Sequence, residues 1–122
     1  MLRRLLLPLV VLAVALVVVG VGTAGTQKSA GLTGEVGPGY TIEVQLGGKD
    51  LKTIKAGTYK LKVQDKSTAH DFHLFGPGVN KKTAVGTTSE TTWTVKLKPG
   101  KYTYQCDPHA AMGMKGTFRV TA

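Results

Sequence analysis

The chain has 122 residues, 16 Lys and Arg against 7 Asp and Glu, a net charge of +9 and one cysteine. That length fits one domain once a targeting segment is set aside, and it leaves no room for two. A lone Cys106 excludes an intramolecular disulfide and an N-terminal lipid-bearing cysteine. Met1-Leu-Arg-Arg precedes an uncharged stretch whose Leu5–Val21 part is almost wholly apolar, the pattern of a basic n-region and a hydrophobic run. The run exceeds an ordinary signal core of about 7–15 residues and reaches the lower bound of about 17 for a membrane span. Residues 1–24 therefore read as a signal peptide cut after about Ala24, or as an anchor through residues 5–21. Arg3 and Arg4 hold the N-terminus on the cytoplasmic side, so the rest is exported in either case.

Residues 25–39, rich in Gly, Ser and Thr, read as a flexible linker without chemistry. The folded domain is expected over residues 40–122. Tyr40, Ile42, Val44 and Leu46 alternate with polar residues as a half-buried strand does, until Gly47-Gly48-Lys49-Asp50 breaks the pattern. Tyr59, Leu61 and Val63 form the inward set of a second strand, with Lys60, Lys62 and Gln64 outward. After a turn-like cluster at residues 65–68, His70, Phe72 and Leu74 share one face, and Asp71, His73 and Phe75 the other. Trp93, Val95 and Leu97 point inward, and Pro99-Gly100 then turns the chain into Tyr102, Tyr104 and Cys106 on a common face. The last strand turns Phe118 and Val120 inward and Thr117 and Arg119 outward. Short strands separated by turn signals, with no useful helical period after residue 30, predict an all-β sandwich or barrel.

The chemistry is concentrated in Gln105–Met114, which holds Cys106, His109, Met112 and Met114. A thiolate, an imidazole and a thioether within one loop form a soft donor set that favours copper, and a trigonal His₂Cys set with a weak axial Met is the blue-copper arrangement. The second imidazole comes from His70 or His73. Shared facing with Phe72 and Leu74 favours His70 as inward, whereas His73 lies with Asp71 on the solvent side. Cys-x-x-His-x-x-x-x-Met after an upstream strand His resembles the cupredoxin, or blue copper, family, near plastocyanins and pseudoazurins. The likeness spans roughly Tyr40 to Ala122. It implies a Greek-key β-sandwich holding one copper ion through His70, Cys106, His109 and Met114, with Met112 as a packing residue. It also places Asp71 where the family's Asn joins the ligand loops, and a carboxylate there accepts hydrogen bonds but donates none unless protonated.

Taken singly, each of these residues has an ordinary role: a buried small thiol, a loop imidazole, core thioethers. Their spacing, with the small Ala110, Ala111 and Gly113 between them, favours the metal. A Cys-His nucleophile finds no orienting group or oxyanion loop in the sequence, so an electron carrier is expected rather than an enzyme. Its partners are expected to be redox proteins, acidic ones given the Lys-rich strands, with no nucleic acid and with the chain a monomer. Copper storage or delivery in the cell envelope, or a metal-free interaction module, are the alternatives.

Overall fold

The computed structural model describes residues 31–122; the expected signal or anchor segment and residues 25–30 lie outside them. Ten strands form two five-stranded sheets. They are β1 Leu32–Val36, β2 Ile42–Leu46, β3 Lys49–Asp50, β4 Thr53–Lys55, β5 Gly57–Asp65, β6 His73–Gly76, β7 Val79–Lys82, β8 Ser89–Leu97, β9 Gly100–Gln105 and β10 Lys115–Thr121. One sheet runs β3-β2-β1-β5-β8 and the other β4-β10-β9-β6-β7. The chain crosses between the sheets after β3, β4, β5, β7 and β8, and β1 lies parallel to β5 and β4 parallel to β10. The result is the all-β sandwich that the strand pattern predicts. Among the described residues no helix is long and apolar enough to cross a membrane.

Inward residues follow the alternation closely. Leu61, Val63, Val95, Leu97, Tyr102, Phe118 and Val120 are all buried between the sheets, with Tyr59, Trp93 and Tyr104 packed at the margins. Every buried side-chain nitrogen or oxygen among the described residues has a hydrogen-bond partner, as a stable interior requires.

Two expectations fail here. The stretch read as linker contributes β1, paired on one side with β2 and on the other with β5, with Leu32 and Val36 in the core. The domain therefore begins before Tyr40. Glycine hid this strand: at Gly34 a Cβ would stand 2.5 Å from Cζ of Phe72, so the ring fills the space a side chain would take. Tyr40, expected on the inward face of a strand, precedes β2 and is 68% exposed; its ring lies at the metal-binding end instead.

Candidate metal centre

Cys106 follows the last residue of β9 and is fully buried. Beyond it Asp107–Met112 form one short 3₁₀ helix, started by Pro108 and closed by Gly113 in the left-handed conformation at φ 91°. That conformation suits glycine, which has no Cβ to clash. Cys106 N–H donates to Met114 O at 3.0 Å, Met114 N–H donates to His109 O at 3.3 Å, and His109 N–H donates to Cys106 O at 3.1 Å. These bonds close the loop on itself and bring His109 and Met114 back beside Cys106.

His70 comes from a different part of the chain. It lies just ahead of β6, is buried, and belongs to a segment fastened at several points. Asp65 accepts from Ser67 N–H at 3.2 Å and from Thr83 Oγ1 at 2.7 Å, while Thr83 Oγ1 accepts from Phe72 N–H at 2.8 Å. Ser67 Oγ accepts from Ala69 N–H, and Gly86 N–H donates to Thr68 O.

The three side chains converge. His70 Nδ1 and His109 Nδ1 are 3.0 Å apart, and Cys106 Sγ is 3.6 Å from the first and 3.4 Å from the second. Bonds of about 2.0 Å to nitrogen and 2.3 Å to sulfur around one first-row ion, at angles of about 97–120°, give donor–donor edges of about 3.0–3.7 Å. The donor set thus fits a copper ion in both chemistry and spacing. Burial pushes the Cys106 thiol above its ordinary pKa; N–H groups of Asp71 and His109 pull it down, and the Asp71 carboxylate raises it again. Met114 is buried in the core beside the loop, whereas Met112, expected to pack, is 72% exposed.

Asp71 departs from its expected outward position: it is buried and accepts Asp107 N–H at 2.7 Å. This bond helps to join the His70 segment to the Cys106 loop, and it needs only the acceptor role that a carboxylate fills. Burial raises the Asp71 pKa, partly offset by that N–H, while the neighbouring Asp107 charge raises it further. His73 is on the outer face, as expected, but is not a free surface residue. Its Nδ1 is 2.8 Å from Asp107 Oδ1 and its Nε2 is 2.6 Å from Asn80 Oδ1. Burial works against ionised Asp107, but hydrogen bonds from Gln105 and His73 hold its pKa below the usual range.

Two contributors escaped the sequence reading. Tyr40 sets its ring edge-on to both ligand imidazoles, with centroids 5.3 Å from His70 and 5.1 Å from His109. Thr83 anchors Phe72 and Asp65 from the far side of β7; nothing in its local sequence marks it.

The family model of copper binding proteins, plastocyanin/azurin family, matches residues 40–121. The chain belongs to that family, the cupredoxins. It shares the fold of reduced rusticyanin, at 22% identity and a TM-score of 0.53 over 74% of this chain and 77% of that one. Rusticyanin from Thiobacillus ferrooxidans, in a second structure, gives 22% identity and a TM-score of 0.51 over 74% and 75%. Auracyanin from Roseiflexus castenholzii gives 21% identity and a TM-score of 0.53 over 74% and 95%. No curated protein matches by sequence. Family and site together define a blue copper electron-transfer protein with one copper site at His70, Cys106 and His109.

Proposed function

We propose that the protein cycles one electron at a time between redox proteins outside the cytoplasm, with Met114 as the weak axial ligand and without catalysis of its own. The observation that carries this reading is the grouping of His70 Nδ1, His109 Nδ1 and Cys106 Sγ at 3.0–3.6 Å. Copper bound there supplies a one-electron couple between Cu(II) and Cu(I). The chain's part is to hold the donors still. Cys106 and His70 are buried in the sandwich, and the Asp71–Asp107 bond locks their two segments together. An arrangement fixed in advance has little to reorganise when charge changes. A buried Met114, bonded through its backbone to Cys106 and His109, supports closure against substrate.

His109 is the half-buried ligand at the rim, flanked by exposed Pro108, Ala111 and Met112. That small apolar surface suits brief docking of a redox partner at the edge of the His109 ring. The exposed thioether of Met112 also favours a second reading, copper delivery, in which Cu(I) is passed on through it.

Adding Cu(II) to the full chain and to Cys106→Ala, then cycling reductant and oxidant, tests both. An intense thiolate-to-copper band, absent in Cys106→Ala and surviving repeated cycles, supports the carrier. A colourless protein defeats the copper reading. Loss of Cu(I) to a chelator on the first reduction moves the function to delivery.

A further inference from the structure

Charge on the domain is sorted along its long axis. The strand registers define that axis: Gln105 and Lys115 pair next to the metal-binding loop, and Gly100 and Val120 pair at the other end. In the opposite sheet Val36 and Asp65 lie at the metal end and Gly57 and Leu97 at the base. Ala56 N–H donates to Thr121 O, so the two sheets share that base.

Lys52, Lys55, Lys60, Lys96, Lys98, Lys101 and Arg119 occupy the lower half, all exposed. Among the described residues that half carries no Asp or Glu side chain. Lys49 and Asp50 sit together at mid-height, level with Leu46 and Gln45. Above them stand Glu35, Glu43, Asp65, Asp71, Glu90 and Asp107 with Lys62, Lys66, Lys81, Lys82 and Lys115. Every lysine–carboxylate ion pair among the described residues lies in this upper half: Lys62–Glu90, Lys66–Glu35 and Lys82–Asp107. The lower cations form none.

Their distribution also bears on shape. Lys60 and Lys96 project from one sheet, Lys55, Lys101 and Arg119 belong to the other, and Lys98 follows β8 at the tip. Lys52, Lys101 and Arg119 share a shallow depression with Thr117 and Phe118. Cations on both outer sides of a pole suit a flat anionic surface better than a protein seated against one side. The chain enters the domain on this half too. Gly31 O accepts from Gly47 N–H, and Gly31 lines a groove with Ile54, Thr58, Tyr59 and Lys60. The apolar run at residues 5–21 ends ten residues earlier in the sequence, a reach of at most about 33–36 Å.

We propose that this pole rests on a membrane, its cations facing anionic phospholipid headgroups and the metal-binding loop turned away from the bilayer. The nine residues of β5, at about 3.3 Å each, set that loop roughly 25–30 Å above the lipid. The arrangement follows from charge and chain direction and holds for a cut or an uncut N-terminus. Each basic residue near such a surface strengthens binding about fivefold, so three together are worth about 100-fold, and salt weakens the effect.

Lysine acetylation read by mass spectrometry on the full chain tests it, with vesicles of phosphatidylcholine alone or mixed with phosphatidylglycerol. Lys52, Lys55, Lys96, Lys98 and Lys101 should be protected only on the anionic vesicles, and high salt should remove the protection. Lys62, Lys81, Lys82 and Lys115 should react equally on both. The triple variant K52Q/K101Q/R119Q should lose protection of Lys55, Lys96 and Lys98, while K81Q/K82Q/K115Q, which removes the same charge, should keep it. Equal loss in both variants, protection of the upper lysines, or no difference between vesicles overturns the proposal. Protection by polyglutamate without protection by vesicles overturns it in favour of an acidic protein.

Discussion

The two segments that supply the metal ligands are built by opposite means. Cys106–Met114 closes through hydrogen bonds among its own backbone groups, so a nine-residue loop carries its geometry in its own sequence. The segment carrying His70 is held by Asp65 and by Thr83, from before and well after it in the chain, and so exists only when β5, β6 and β7 are in place. One half of the site is local and the other tertiary. The Asp107 N–H bond to the Asp71 carboxylate links them, beside the contacts of the ligand side chains themselves.

The strongest test of the contrast replaces the ligands themselves. Cys106→Ala should abolish the charge-transfer band, since no other sulfur anion is available. His70→Ala should weaken copper binding by more than the roughly 10–100-fold typical of groups behind the ligands, and should change the spectrum. His73→Ala should keep the band, because its ring bonds Asp107 and Asn80; copper titrations of both variants decide it. Loss of the band in His73→Ala alone would reverse the strand register.

The next effect comes from the link. Asp71→Ala leaves Asp107 N–H without its acceptor and should cost about 1–3 kcal/mol of metal-free stability in urea unfolding. Copper affinity should also fall about 10–100-fold. Asp71→Asn keeps an acceptor oxygen and should be milder. If Asp71→Ala binds copper as well as the parent, the two segments hold their relation without it.

A smaller effect follows from the raised pKa of the Cys106 thiol. At neutral pH the thiol is protonated before metal binding and ionised after it, so uptake releases one proton. Affinity should rise about tenfold per pH unit from this group while pH stays below its pKa, and level off above it. Competition titrations at several pH values measure the slope. Smallest of all, Met114→Leu should keep colour and copper but raise the reduction potential, with Met112→Leu nearly silent. The reverse order in voltammetry would move the axial role to Met112.

This split between local and tertiary order also sets what could be read from the sequence. Cys106, His109 and the inward registers of β5, β8, β9 and β10 follow from spacing and alternation, which are local. His70 could be preferred over His73 because Phe72 and Leu74 share its face, and its burial agrees. Asp71 misled the same pattern, since the segment is not yet strand where it lies and the side chain turns inward to the Asp107 N–H. β1 was lost because Gly34 accommodates Phe72, a residue far along the chain. β4 and β7 are only three and four residues long, at the sheet margins, too short for alternation to register.

The placement of β1 has a mechanical side. It lies in mid-sheet between an antiparallel and a parallel neighbour, and the chain enters it at Leu32, at mid-height, running towards the metal end. A pull on the N-terminal side, directed along the strand, loads the bonds to β2 and β5 in shear, so they resist together and do not open one after another. A tether at that end would therefore load the domain along the strands from mid-height, with the metal ligands beyond the other end of β1.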